Sequence, residues 1–293
     1  MKIAVIALGG NALQPANEKW TFKELIKHID KTVLNLKPLF SKYKVIITHG
    51  NGSEVGNLLL QQQSTKKVPS MPLDVLDAMT QGQLGYLIQK SIQNILNKKA
   101  VTILTQIEID KKDKAFLKPT KPIGPFYNKK LENRMIKQFG CWRKVVPSPK
   151  PKRIIEIEEI KTLIRKGYVV IACGGGGIPV ANGRGVEAVI DKDYTSQLLA
   201  NQLKADLLIF LTETDYVYFD YGTKNAVPIA RIKAKELKKA LISFPKEFNE
   251  GSMKPKIEAS LEFLNKGKKV IITKPEYLER ALKGEAGTII EAM

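Results

Sequence analysis

Ile3-Ala4-Val5-Ile6-Ala7-Leu8 runs without a polar side chain into Gly9-Gly10-Asn11. An apolar run of this length that stops at a glycine turn reads as a strand buried on both faces, the kind found in parallel sheets covered by helices. The pattern recurs. Residues 45–48 lead into His49-Gly50-Asn51-Gly52, and 169–173 into Gly174-Gly175-Gly176-Gly177. Further strands are expected at 101–106, 207–211, 269–272 and 288–291. Between them lie helical spacings: Phe22, Leu25, Ile26, Ile29, Val33 and Leu36 in a stretch 22–40 disturbed by Pro38, then 73–96, 193–203 and 252–264. Ser53 is a candidate cap for a helix running to 63. Strands alternating with helices predict an α/β fold, an αβα sandwich around a mainly parallel open sheet.

The chain has 293 residues, 43% of them hydrophobic and 26% charged. That composition excludes collagen, low-complexity disorder and a disulfide scaffold. No apolar run approaches the roughly 18 residues of a membrane span. The N-terminal run is too short for a signal peptide, and only Cys141 and Cys173 are present, so a cytoplasmic location is expected. With two histidines, His28 and His49, a zinc site of the usual ligand types is not expected, and no residue is assigned as a metal ligand.

The formal net charge is +19, and residues 111–153 carry 14 Lys/Arg against Asp113 and Glu132. The same stretch holds six prolines and breaks the strand–helix rhythm. It reads as a small protruding subdomain, about 114–152, thrown out between a strand and the next helix. A solvated lysine-rich lobe accounts for most of these cations. An electropositive flap beside an anion site accounts for a stiff segment such as Lys118-Pro119-Thr120-Lys121-Pro122, whose prolines restrict the backbone around Lys121. No nucleic-acid-binding motif accompanies the charge.

In open α/β sheets ligands bind beyond the carboxyl ends of the strands. Three glycine turns stand there, at Gly9-Gly10-Asn11, Gly50-Asn51-Gly52 and Gly174-Gly175-Gly176-Gly177. Glycine allows close approach of backbone N–H groups, which together with helix N-termini cradle anions. Neither G-x-x-x-x-G-K-[ST] nor G-x-G-x-x-G after the first strand occurs, which disfavours P-loop NTPases and typical dinucleotide-binding dehydrogenases. Asp191-Lys192-Asp193 precedes a helix. Lys192 there can face a transferring phosphoryl group, with Asp193 either orienting it or capping the helix. Lys256 in Gly251-Ser252-Met253-Lys254-Pro255-Lys256 lies in a first helical turn, where the dipole disfavours cations, which points to an anionic ligand.

These segments, with Met79-Thr80-Gln81-Gly82-Gln83-Leu84-Gly85-Tyr86, Lys121-Pro122-Ile123-Gly124-Pro125-Phe126-Tyr127, Trp142-Arg143-Lys144-Val145-Val146-Pro147-Ser148-Pro149 and Gly185-Val186-Glu187-Ala188-Val189-Ile190-Asp191-Lys192-Asp193, resemble the carbamate kinases of the amino-acid-kinase superfamily nearly end to end. The resemblance implies Mg²⁺-dependent, reversible phosphoryl transfer between ATP and carbamate, giving ADP and carbamoyl phosphate, in a homodimer. It implies that Gly9, Gly10, Asn11, Gly50, Asn51 and Gly52 bind the acceptor and the phosphoryl, and that Lys192, Asp193 and Lys121 are catalytic. Nucleotide binding falls to Gly174, Gly175, Asp215, Tyr221, Gly222, Met253 and Lys256. Residues 1–180 form the acceptor half and 181–293 the nucleotide half. Ala7 stands where many superfamily members carry lysine, Ser53-Glu54 where the family usually shows Pro-Gln, and Glu213-Thr214 varies the segment before Asp215. The stretch from Phe139 to Trp142 is shorter than usual. A sibling kinase for another small acid or phosphate, or a non-catalytic nucleotide- or nucleic-acid-binding protein, are the alternatives.

Overall fold

The computed structural model of the chain describes residues 1–13, 21–131, 133–138, 140–244, 248 and 253–292. Eight strands form one open sheet. Its order is Arg231–Lys233, Thr288–Glu291, Lys269–Thr273, Leu207–Leu211, Lys2–Leu8, Tyr43–His49, Val169–Ile171 and Ala100–Thr102. Six strands run parallel; Thr288–Glu291 pairs antiparallel with Lys269–Thr273 and carries Arg231–Lys233 parallel to itself. Lys2–Leu8 lies between Tyr43–His49 and Leu207–Leu211. The chain thus builds outward on one side of its first strand up to Val169–Ile171 and on the other side after it. The first strand is the topological switch point, where a crevice opens beyond the strand tips.

The two-residue period sorts the core. Ala4, Ile6, Leu8, Val45, Ile47, Ile209 and Leu211 face one way and pack with Leu25, Ile29 and Val33 of the helix Phe22–Asn35 and with Leu84, Ile88 and Ile92 of Leu73–Leu96. Val5, Ala7, Ile46, Leu208, Phe210 and Ile272 face the other way, against Leu199 and Ala200 of Lys192–Gln202 and Ile257 and Phe263 of Met253–Leu264. Both faces are covered, which is why these strands read as continuous apolar runs.

Several boundaries differ from the sequence reading. The stretch 22–40 is a helix to Asn35 followed by a 3-10 segment Lys37–Ser41, because Pro38 occupies its start. The run 101–106 divides: Ala100–Thr102 ends the main sheet, while Gln106–Glu108 joins a separate four-stranded sheet with Ile178–Ala181, Arg184–Gly185 and Arg153–Ile154. Asn51 rather than Ser53 is the residue before the helix Gly52–Ser64. The helix expected at 252–264 is Met253–Leu264, and Ser252 lies outside the described residues.

The basic excursion is a three-stranded antiparallel sheet, Lys121–Tyr127, Cys141–Val146 and Met135–Gln138, with Cys141–Val146 in the middle. Near the tip Gln138 pairs with Cys141; Phe139, in the stretch expected to be short, lies outside the described residues. A small core fastens the excursion to the body. Ile123 and Val146 pack on Val55, Leu73, Leu76 and Val189.

Helix Leu73–Leu96 lies so close to the edge strand that a Cβ at Gly85 would overlap the Thr102 side chain. Gly85→Ala is expected to lower stability by about 1–3 kcal/mol, as overpacking does. Thr102→Ala in the same chain is expected to recover most of the loss. Thermal melting of the single and double variants checks this.

Candidate functional site

Four strands of the main sheet end at one edge, and the turns after them wall a cleft of about 630 Å³. Gly9 and Gly10 follow the first strand, Gly50, Asn51 and Gly52 the second, and Thr212 and Glu213 the strand Leu207–Leu211. Gly175, from the turn after Val169–Ile171, also reaches it. The two leading turns are in contact. A Cβ on Gly50 would lie 3.3 Å from the Gly10 nitrogen, a tight contact, and 3.7 Å from Lys192 Cδ, so the two backbones and the lysine stem converge closely here. Gly9 N–H donates to Leu211 O at 2.9 Å. Gly10, Asn11, Ala12 and Leu13 form a single helical turn, and the side chain of Asn11 lies outside what the structure describes.

The helix Lys192–Gln202 starts at the floor of the cleft. Asp191 caps it, its carboxylate accepting from Asp193 N–H at 2.9 Å. Asp193 is thereby released for the orienting role. Its Oδ1 accepts from Lys192 Nζ and its Oδ2 from Lys256 Nζ at 3.1 Å. Lys192, Asp193 and Lys256 all line the cleft, although Asp193 and Lys256 are only 3% and 2% exposed. Burial pushes the Asp193 carboxyl up, but the two ammoniums outweigh it and hold it down at about 2. Burial and the neighbouring Lys256 charge pull Lys192 down, against the pull of Asp193 in the other direction. One carboxylate between two ammoniums leaves the trio with a net positive charge, aimed at an anion.

Lys121 comes in from the excursion and meets Asp191 Oδ2 at 2.6 Å. Arg143, also from the excursion, lines the cleft; it donates to Gly124 O at 3.1 Å and stacks over Phe126, 4.8 Å from the ring centroid. The sequence reading assigned Arg143 no role. Its signal is the antiparallel pairing of Ile123 with Lys144, which sets it across from Gly124, and that pairing is not visible in the sequence. Two cations of the basic stretch thus face the cleft, while Lys152 and Arg153 form exposed pairs with Asp110 and Glu108.

The other expected residues fall around this centre. Asp215 accepts from the Tyr218 hydroxyl at 2.8 Å, and Tyr218 stacks on Tyr221, 5.8 Å between ring centroids. Gly222 follows with φ +81°. Met253 opens the helix that carries Lys256 and packs on the core. None of these four is in the cleft wall. Gly174 and Gly175 are buried. A Cβ on Gly174 would strike His49 and Gln81, and one on Gly175 would strike the Asn51 amide and Asp77. Glu54, the departure beside the acceptor turn, is buried and stands outside the cleft wall, and burial raises its carboxyl.

His49 is fully enclosed, with Nδ1 3.0 Å from Gly50 O. A carbonyl there requires Nδ1 to carry the proton. Burial first, and then the Lys192 charge, hold its pKa at about 4, so the ring is neutral near pH 7 and orients the turn. Asp77 is buried beneath Asn51, and burial, with a smaller push from Asp74, raises its carboxyl to about 8 against the Asn51 hydrogen bond. An acid whose folded pKa is raised stabilises fully below its unfolded value near ~3.9 and loses that contribution as pH rises through the folded value. Asp77→Asn is therefore expected to gain in Tm relative to the wild type between pH 5 and about 8, with little further gain above, which a melting series across pH measures.

Carboxylates at the cleft that could meet a divalent cation are few. Asp191 and Asp193 are bonded to lysines, which leaves Glu213 in the wall. Among the described residues no cluster of three His, Cys, Asp or Glu forms a metal cage. No helix among the described residues is long and apolar enough to cross a membrane.

The amino acid kinase family matches residues 2–274. Carbamate kinase of Pyrococcus horikoshii is 43% identical, with 97% of each chain covered. Carbamate kinase of Halobacterium salinarum is 41% identical over 99% of this chain and 98% of its own. The structure of carbamate kinase from Giardia lamblia bound to AMP-PNP superposes with a TM-score of 0.92 at 37% identity, covering 100% of this chain and 99% of that one. With the glycine-turn cleft and its lysine–aspartate–lysine floor, these matches establish that the chain belongs to the amino acid kinase family and, within it, groups with the carbamate kinases.

Proposed function

We propose that the chain transfers a phosphoryl group reversibly between ATP and carbamate, giving ADP and carbamoyl phosphate. The observation that carries this reading is the single carboxylate of Asp193 holding Lys192 and Lys256 together at the floor of the cleft, beside the touching turns of Gly10 and Gly50. Carbamate already bears an anionic oxygen, so its attack on the γ-phosphorus needs no base. The neutral, enclosed His49 is consistent with that. The reaction needs alignment of nucleophile and leaving oxygen and neutralisation of charge on the transferred group.

The residues divide accordingly. Backbone N–H groups of Gly9, Gly10, Asn11, Gly50, Asn51 and Gly52, and the N-terminus of the helix Gly52–Ser64, hold the acceptor and the phosphoryl. Lys192 neutralises the transferring group, Lys256 the nucleotide phosphates, and Asp193 fixes both ammoniums. Lys121, braced on Asp191, supplies a further cation from above. Asp215, Tyr221, Gly222 and Met253 surround the nucleotide. Gly175 supports Asn51 and Gly174 supports His49, roles their contacts favour over direct nucleotide contact. In this division residues 1–180 serve the acceptor and 181–293 the nucleotide. The main sheet supports this division, since those of its strands that follow residue 181 all lie on one side of Lys2–Leu8. Glu213, the wall carboxylate not bonded to a lysine, would help hold a nucleotide-bound Mg²⁺, which would supply further charge neutralisation.

The helix Leu73–Leu96 exposes Val75, Met79 and Tyr86 in one stripe; Met79 and Tyr86 are 45% and 57% exposed. An apolar stripe on a helix that also packs into the core supports a second copy of the chain as its cover, hence a homodimer.

Purified protein given ADP, Mg²⁺ and carbamoyl phosphate is expected to form ATP, read by a coupled assay, and the wild type's failure to do so while folded overturns the reading. Lys192→Ala is expected to lower kcat by about 10²–10³-fold. Its Tm is expected to change little, because Asp193 keeps Lys256 as partner and one buried charge is gone. Met79→Glu is expected to shift the protein toward monomer in sedimentation velocity.

A further inference from the structure

Asn51 is 4% exposed, lines the cleft, and stands at the head of the helix Gly52–Ser64 beside Gly50 and Lys192. Its side-chain amide is not free to turn. The Thr80 hydroxyl donates its single proton to the backbone oxygen of Asp77 at 2.8 Å. Toward Asn51, 2.8 Å away, Thr80 Oγ1 can then only accept, so the amide atom facing it is the NH₂ group. The same nitrogen donates to Asp77 Oδ1. Both amide protons are thus committed to one face of the helix Leu73–Leu96. Gly175, at φ +68°, makes room for this arrangement, since a Cβ there would overlap the Asn51 nitrogen.

A planar amide with its nitrogen bound to the helix offers its carbonyl oxygen on the other side. We infer that Asn51 Oδ1 accepts an N–H from the amino group of the acceptor, so that Asn51 is the specificity-determining residue for carbamate over carboxylates and oxyanions of the same size. Carbamate is the small acceptor that carries both an anionic oxygen and N–H donors. The lysines and glycine N–H groups read the anion but cannot tell an NH₂ from a CH₃. A fixed hydrogen-bond acceptor can, because a methyl leaves it unpaired in a desolvated site. Thr80 and Asp77 act through Asn51 as positioning residues. The inference rests on the carbamate reading proposed above and adds the group that recognises the nitrogen.

The test compares carbamoyl phosphate and acetyl phosphate as donors to ADP, which present NH₂ and CH₃ at the same place on similar acyl phosphates. The wild type is expected to favour carbamoyl phosphate in kcat/KM. Asn51→Ala is expected to lower both rates and to reduce the ratio of carbamoyl to acetyl phosphate about tenfold, the effect of one lost hydrogen bond. Thr80→Val leaves the cleft wall intact but releases the amide, and is expected to shift the ratio in the same direction by about threefold; it decides the matter if Asn51→Ala does not fold. Equal loss on both substrates, with the ratio intact in both variants, overturns the inference. A wild type that uses both donors equally well overturns it while leaving the transferase reading standing. A wild type that forms no ATP from carbamoyl phosphate overturns that reading itself, and this inference with it.

Discussion

Asp193 holds two buried ammonium groups that would otherwise repel each other and expel themselves into solvent. Taking lysine out of water is costly, and a like charge alongside makes it more so. Here a single carboxylate, itself almost wholly enclosed, meets Lys192 with one oxygen and Lys256 with the other. The arrangement offsets only one of the two positive charges. A net positive charge therefore remains at the floor of the cleft, where glycine turns and helix N-termini add only partial charges.

That trio is possible because of where its members are anchored. Lys192 and Asp193 open one helix and Lys256 lies near the start of another, and these two helices pack on the same face of the sheet. Asp191 takes over the capping of the first helix, which leaves Asp193 for the lysines. Ser196 ties the same helix to the second strand through Thr48, 2.6 Å away, so the charged end is registered against the Gly50 turn. The parallel sheet fixes the height of all these groups, because each strand delivers its turn to the same edge.

Around the charged floor a second layer is arranged by exclusion rather than attraction. Glycines at 50, 174, 175 and 176 lie where a Cβ would meet neighbouring backbone or side chains. The lack of side chains at Gly174 and Gly175 lets His49, Asn51 and Asp77 pack closely at the Gly50-Asn51-Gly52 turn, buried and fixed in orientation. Burial then sets the protonation of the titratable pair: His49 stays neutral and Asp77 resists ionisation. The excursion adds Lys121 and Arg143 from above, and its stiffness comes from proline and from the small core of Ile123 and Val146.

The sequence by itself determined the sheet and much of the site's cast. Apolar runs at 3–8, 45–48 and 207–211, each halted by a turn, can be satisfied only between two layers of helix, and glycines after such strands mark the ligand edge. Lys192 and Lys256 were legible as cations at helix starts, where the dipole gives them no local reason to be. What remained hidden needed contacts between distant segments. That Asp193 serves both lysines, that Asp191 caps instead, and that Gly174 lies against His49 and Gly175 against Asn51 follow from which turns meet in space. Arg143 depends on the pairing of two excursion strands, and the departure at Glu54 on which way one helix faces. Periodicity along a chain reports which residues are buried and in what element. Only the tertiary packing decides which buried polar groups become partners, because that depends on distances across the fold rather than along the chain.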